Sequence, residues 1–442
     1  MEKYITKENL ESFSENFGSS RVNKIAMNAV IANGVNDVAT RWGAGKNFEF
    51  SLNLDNKGIT NQKSSGRCWM FAALNCLRFQ VIKNLNLKDF ELSQNYTCFY
   101  DKLEKANYFL ECILQTLDEP EDSRILQHLC KSPVQDGGQW DMISAIITKY
   151  GVVPKDAMPE SACSSATSEM NALVTEKLRE FAATLRKEHK AGKTIDELRE
   201  IKKGQMSVIY RMLAICLGTP PETFNFTAHD KDENFICDNG ITPKEFYAKY
   251  VKMDMSQYVS LISAPTADKP YMRSYTVKFL GNVIDGTPVR YVNLPIEELK
   301  KAAIAQMKDG EPVWFGCDVG KRSSRTTAVM DLDVYDYESL FSTEFDLTKA
   351  DGLEYGNSMM THAMVFQGVN LDENGNPTKW RVENSWGGDV GQKGMYLMTD
   401  EWFNEYMYQV VVQKKYLTPE IIAAYESEPI VLDPWDPMGA LA

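Results

Sequence analysis

The chain reads as an α+β protein, and three observations predict it. Helix-period apolar patterns dominate the stretch up to about residue 217. Strand-type runs gather after it, with turn signals between them. The order is helices first and strands later, without the alternating βα units of a parallel sheet. The chain has 442 residues, 43% of them hydrophobic and 25% charged. That is a globular composition with a sizeable core and, by length, two or three domains.

Residues 1–55 are mixed and polar and read as an N-terminal arm with a short helix near Lys7–Asn16. The stretch 56–155 opens on loop chemistry, Asn61-Gln62-Lys63-Ser64-Ser65-Gly66. A helix follows from Cys68 to about Leu85, because Met70, Leu74, Leu77, Val81 and Leu85 recur at spacings of three and four. Cys68 therefore stands where a loop becomes a helix. In the third region, 156–290, residues 165–217 are rich in Lys and Glu and predict helix, while 245–290 carries aromatic and β-branched residues. Region 291–415 begins with a helix at Glu297–Lys308 and a strand at Pro312–Val319. Three strands are expected after it, at His362–Asn370, Lys379–Asn384 and Tyr408–Tyr416, with Asn374-Gly375-Asn376-Pro377 turning the first into the second. Region 416–442 contains no Lys or Arg and carries Pro419, Pro429, Pro434 and Pro437, which predicts an extended tail.

Charge and composition exclude several classes of function. A net charge of -13 argues against a nucleic-acid partner, since such binding rests on Lys and Arg meeting phosphate. No run of 18 apolar residues is present, and the first 30 residues hold no apolar run of signal-peptide type, so neither a membrane span nor secretion is expected. The nine cysteines are odd in number, irregular in spacing and without a CxxC, which indicates reduced thiols in a cytoplasm rather than a disulfide frame or zinc site.

Cys68 differs from the other eight cysteines. A thiol must become a thiolate to attack a carbonyl, and a helix N-terminus favours that charge. Six residues upstream, the Gln62 amide can join the Cys68 N–H as an oxyanion hole. A buried structural cysteine is the alternative. Of the four histidines, His189 and His229 lie among charges and read as surface residues, and His128 lies in a helical stretch. His362 starts an apolar strand, where a general base is held rigidly. Glu383-Asn384-Ser385-Trp386-Gly387 ends the next strand. A hairpin between the two strands brings Asn384 to His362 as its orienting partner, and Trp386 can cover that bond from water.

Gln-x5-Cys-Trp, then His-Ala, then Asn-Ser-Trp-Gly, in that order, resembles the papain superfamily. Two departures narrow the resemblance. Ser65 stands where secreted relatives carry a disulfide-forming cysteine, which suits a reducing compartment. His362 also lies far beyond the usual Cys-to-His spacing, implying an insertion of roughly 150 residues, most of it within about 155–290. Both departures, with the N-terminal arm and the ending Asp433-Pro434-Trp435-Asp436-Pro437-Met438-Gly439-Ala440-Leu441-Ala442, resemble the bleomycin hydrolase and aminopeptidase C family over nearly the whole chain.

The resemblance implies a papain-like cysteine peptidase fold, with a helical half, a β-rich half and a helical insertion used in oligomerisation. It implies Cys68 as nucleophile, His362 as general base and acid, Asn384 as orienter and Gln62 as oxyanion donor. Gly137 and Gly138, within Asp136-Gly137-Gly138-Gln139-Trp140, resemble the strand that pairs with substrate backbone; an ordinary turn is the alternative. The tail is expected in the active-site cleft, with the Ala442 carboxylate meeting the substrate's α-amino group. The expected activity is that of a cytoplasmic, homohexameric aminopeptidase on peptides with a free N-terminus. Bleomycin-type amides fall in the same range, and neither a metal nor an organic cofactor is expected. An endopeptidase of the same fold, or a non-catalytic binding protein for nucleic acid, are the competing readings.

Overall fold

The computed structural model of the chain describes residues 3–43, 47–54 and 58–441. Its centre is a sheet that has twelve strands among the described residues. One half runs, in spatial order, through Ile430–Leu432, Arg273–Val277, Tyr291–Asn293, Tyr258–Ile262 and Met407–Gln413. It continues through Val313–Cys317, His362–Leu371, Pro377–Glu383, Met395–Thr399, Val329–Met330 and Ser323–Ser324. Leu52–Asn53 adds to His362–Leu371.

The Cys68 helix spans Cys68–Leu85, as its apolar spacing predicts, and lies against the strand His362–Leu371. Asn86 ends it in the left-handed region, with its N–H returned to Ile82. Its start is different. Arg67 makes no side-chain cap, so the first-turn N–H groups are not consumed by a capping oxygen. Trp69, fully buried, accepts on its carbonyl from the Trp314 indole at 3.0 Å, which locks the helix onto Val313–Cys317. One apolar core joins this helix to Gln94–Gln115, Trp140–Tyr150, Ser168–Lys190 and Ile195–Leu217. A second core lies on the sheet's other side, against Ile296–Lys308 and Asp400–Tyr406.

The expected helix over 165–217 is two helices, Ser168–Lys190 and Ile195–Leu217. Gly192 at φ 95° breaks the run, and Thr194 and Glu197 form a reciprocal cap that starts the second helix. The expected hairpin is present: His362–Leu371 pairs antiparallel with Pro377–Glu383, Val365 opposite Glu383. Asp372 closes the turn by accepting from the N–H groups of Asn374 and Asn376. The last expected strand stops at Gln413, and Lys414–Tyr416 is a 3₁₀ turn.

The tail corrects the expectation of an extended path. Pro419–Glu426 is a helix capped by Thr418, followed by the strand Ile430–Leu432 and a 3₁₀ turn at Pro437–Gly439. Pro419 falls in the first helical turn, where the missing N–H has no intrahelical partner to lose. The strand then pairs in parallel with Arg273–Val277. No helix among the described residues is long and apolar enough to cross a membrane.

Candidate active site

Cys68, His362 and Asn384 come together where the Cys68 helix meets the central hairpin. Strand pairing sets His362 opposite Cys317 and Ala363 opposite Gly316. The Ala363 N–H reaches the Cys68 sulfur, as do the N–H groups of Trp69 and Cys68 itself. His362 Nε2 lies 2.9 Å from Asn384 Oδ1, which also accepts from the Ser385 N–H at 2.8 Å. The Trp386 ring covers this bond, its centre 5.0 Å from the imidazole and tilted by 33°. All three polar side chains are buried.

Burial dominates the electrostatics. It pushes the Cys68 thiol up to about 11, against the three backbone N–H groups that favour thiolate. It pushes the His362 imidazole down to about 4, against the Asn384 bond, and the nearby Arg325 guanidinium lowers it further. The lowering expected from the helix terminus is therefore present and outweighed by desolvation. Burial thus disfavours the charged form of each group.

Gln62 joins the two halves of the site. Its Oε1 accepts from Ser385 Oγ at 2.8 Å, and its N–H donates to the Ser385 carbonyl at 2.8 Å. Its Nε2 donates to the Ser65 carbonyl at 2.6 Å, within the loop that leads to Cys68. Gly387, at φ 87°, donates its N–H to Thr60 and leaves a Cβ no room beside Asn61. The loop before the nucleophile and the loop after Asn384 are thus one tied unit.

Gly138 sits on the indole of Trp69, where a Cβ would come within 2.5 Å of the ring. Beside it, Gly137 gives its carbonyl to Lys105 Nζ at 2.7 Å. The Trp69 indole N–H donates to the Asp136 carbonyl at 2.7 Å. Together these hold the two glycines next to the nucleophile helix.

The tail crosses this region. Gln139 Nε2 donates to the Ala440 carbonyl at 2.6 Å, Tyr291 donates to the Met438 carbonyl at 3.2 Å, and Lys269 pairs with Asp436 at 2.8 Å. Trp435 lies under the Arg124 guanidinium, 3.7 Å from its ring centre. A cavity of about 600 Å³ opens between Pro434, Trp435 and Leu441 on one side and Met360 and Thr361 on the other. Ala442 itself lies outside the described residues.

The sequence reading missed the ionic support of the loop before Cys68. Asp136 accepts from the Gly66 N–H at 2.8 Å, from Lys102 Nζ at 2.7 Å and from Asn171 Nδ2 at 2.7 Å. Burial works against its carboxylate, but the Lys102 ammonium outweighs it and holds the pKa well below the usual carboxylate range. Arg67, next to the nucleophile and fully buried, grips Glu160 with two bonds of 2.7 and 3.2 Å. The signal was legible in part: Lys102 and Lys105 lie three apart on the buried face of their helix, beside Tyr96, Phe99, Ala106 and Phe109.

Comparison with known proteins bears on this geometry. The Peptidase C1-like family model matches residues 4–439. The chain belongs to that family. Within it, the chain is 48% identical to the aminopeptidase C of Listeria innocua, over 100% of both chains. It is 46% identical to the bleomycin hydrolase of Homo sapiens, covering 89% of this chain and 88% of that one. Among solved structures, the crystal structure of PepW from Lactobacillus rhamnosis superposes with a TM-score of 0.98 at 48% identity, over 100% of both chains. The papain-like α+β fold and the aminopeptidase C and bleomycin hydrolase branch of the family follow from these matches.

Proposed function

We propose that this cysteine aminopeptidase removes single residues from peptide N-termini through Cys68, His362, Asn384 and Gln62. The observation that carries the reading is the buried His362–Asn384 bond at 2.9 Å, one residue from the amide that meets the Cys68 sulfur. Burial disfavours the charged form of both groups, and His362 takes the Cys68 proton as the sulfur attacks the peptide carbonyl. The charges so formed stabilise each other in a site that excludes water. The oxyanion is held by the Cys68 N–H and by Gln62, whose Nε2 turns from the Ser65 carbonyl to the new charge. His362 then protonates the leaving amine, and a water activated by the same imidazole releases the amino acid from the thioester.

Gly137 and Gly138 offer backbone to the substrate, with Trp69 beneath them fixing their height. Trp386 shields the imidazole. The tail limits the cleft: Gln139 holds Ala440 two residues short of the terminal carboxylate of Ala442, which pairs with the substrate's free amine. A neutral or blocked N-terminus leaves that carboxylate without a partner, which selects against it.

Assembly as a homohexamer belongs to the same proposal. Its support is the N-terminal arm, whose helices Lys7–Ser19 and Arg21–Asn33 bury no residue within the chain. Leu10, Phe13, Phe17, Ile25 and Ile31 stay exposed on them, an apolar surface suited to a second copy. Placement in the cytoplasm accords with nine free cysteines, Cys68 among them. Sedimentation of the full chain as a monomer at micromolar concentration would remove the assembly.

The activity is tested with a free-amine aminoacyl arylamide and its N-acetylated twin, using wild type and Cys68→Ala under reducing conditions. The expected result is cleavage of the free amine alone by wild type and of neither by the variant. Cleavage of both by wild type leaves the nucleophile and sinks the amine anchor at Ala442. Cleavage of neither sinks the aminopeptidase.

A further inference from the structure

Arg325 is exposed, and its guanidinium carbon lies 4.1 Å from the centre of the Trp386 ring. That ring in turn covers His362 at 5.0 Å. No carboxylate among the described residues pairs with Arg325, and its N–H groups donate to no described side chain or carbonyl. Arg67, Arg78 and Arg322, by contrast, each hold a glutamate. The field of the guanidinium reaches the imidazole and adds to its neutrality.

Position decides what a free guanidinium can do here. The tail and its cavity approach His362 through Met360 and Thr361, and neither Arg325 nor Trp386 lines that cavity. A substrate with its amine against the tail must leave its departing part on the other side of the imidazole, under Trp386. One or two residues beyond the cleaved bond span about 4–7 Å, within the swing of an arginine side chain anchored on that ring.

We propose that Arg325 is a carboxylate-binding residue for the departing part of the substrate, which favours short peptides whose α-carboxylate falls one residue beyond the cleaved bond. The inference rests on the aminopeptidase reading of the same site. An acidic side chain at that residue presents the same chemistry. A guanidinium presents paired N–H donors that match a carboxylate, and contact with the indole holds it without using them up. The two ends of a dipeptide are then recognised by opposite charges on either side of Cys68.

The experiment measures kcat/KM for Leu-Ala, Leu-Ala-amide and Leu-Glu-amide with wild type, Arg325→Gln and Arg325→Lys. Wild type is expected to favour Leu-Ala over its amide. Arg325→Gln is expected to lower that ratio about tenfold, and Arg325→Lys to restore part of it. A fall confined to Leu-Ala assigns the guanidinium to the α-carboxylate, and one confined to Leu-Glu-amide assigns it to an acidic side chain. Equal ratios in wild type and Arg325→Gln for both carboxylate substrates overturn the proposal. Cleavage of Leu-Ala-amide by wild type reports on the aminopeptidase reading by itself. If no substrate is cut, calorimetric binding of Leu-Ala and its amide to Cys68→Ala, with and without Arg325→Gln, decides the matter. Loss of the preference for Leu-Ala supports the site, and an unchanged preference removes it.

Discussion

The two halves of the candidate active site are held by different physics. On the helical side, buried charge does the holding: Asp136 with Lys102, Arg67 with Glu160, and the Gly66 N–H on the Asp136 carboxylate. On the strand side, His362 and Asn384 are held by a β-ladder, a neutral amide and an aromatic cover. Cys68 is the first residue of its helix, and the loop before it has no ladder to fix it and relies on side-chain anchors. His362 starts a strand, whose register sets the height of its side chain. Damage to the first half should therefore show in folding, and damage to the second in rate.

The largest expected effect tests that contrast directly. Asp136→Asn leaves the Lys102 ammonium buried with its charge uncompensated and should cost about 3–5 kcal/mol, read by urea unfolding. A stability change below about 1 kcal/mol would mean that the loop does not depend on its charges.

Acid should separate the halves by pH window. His362 has a folded pKa of about 4, below its unfolded value of about 6.5. Above pH 6.5 both states are neutral there and nothing is gained or lost. As the pH falls from 6.5 to 4, the unfolded chain takes up a proton that the folded chain refuses, and stability drops by up to about 3 kcal/mol. Asp136 is depressed instead, so its contribution is present above about pH 4 and is lost below that. Unfolding of wild type and His362→Gln at pH 7, 5 and 4 checks this, and the variant should be flatter between 6.5 and 4.

Asn384→Ala should spare stability and lower kcat/KM about a hundredfold, since the imidazole loses its orienting bond while the ladder remains. Matching losses in stability would place Asn384 with the structural anchors. Smallest is Gly138→Ala. Its Cβ would meet the Trp69 ring at 2.5 Å, and the fit of the glycine pair over the indole should cost about 1–3 kcal/mol. Thermal melts compared with Gly204→Ala, where a Cβ meets open space, isolate the effect of the ring.

The strand half was the more legible of the two in the sequence. His362 and Asn384 flank a turn of recognisable chemistry, and an antiparallel hairpin converts that spacing into a contact. The nucleophile helix was legible from its apolar period, and Cys68 falls at its first residue. The ion pairs behind it were not, because Arg67 and Glu160, or Lys102 and Asp136, lie tens of residues apart with no period to link them. Met395–Thr399 was missed for a related reason. It is a buried strand without apolar–polar alternation, and its identity comes from the neighbour it pairs with at Lys379–Glu383.

The two chain ends show the same limit. By composition both looked like polar extensions, and only the family resemblance placed the tail in the cleft; the arm buries nothing among its first two helices, while the tail is bonded through Met438 and Ala440 beside Gln139 and Tyr291. Composition reported the prolines of the tail but not that Pro419 would fall at a helix start.

The sequence by itself determined the family, the fold class, the order of the motifs and the residues able to do thiol chemistry, because these depend on local period and on residue type. Tertiary structure decided the protonation of the site and its supports. Burial moved the Cys68 and His362 pKa values apart, a distant lysine kept Asp136 ionised, and the fold set the Arg325 guanidinium over Trp386 with no carboxylate among the described residues to pair with it. Desolvation and charge pairing depend on what surrounds a group in three dimensions, and the order of residues along the chain does not carry that information.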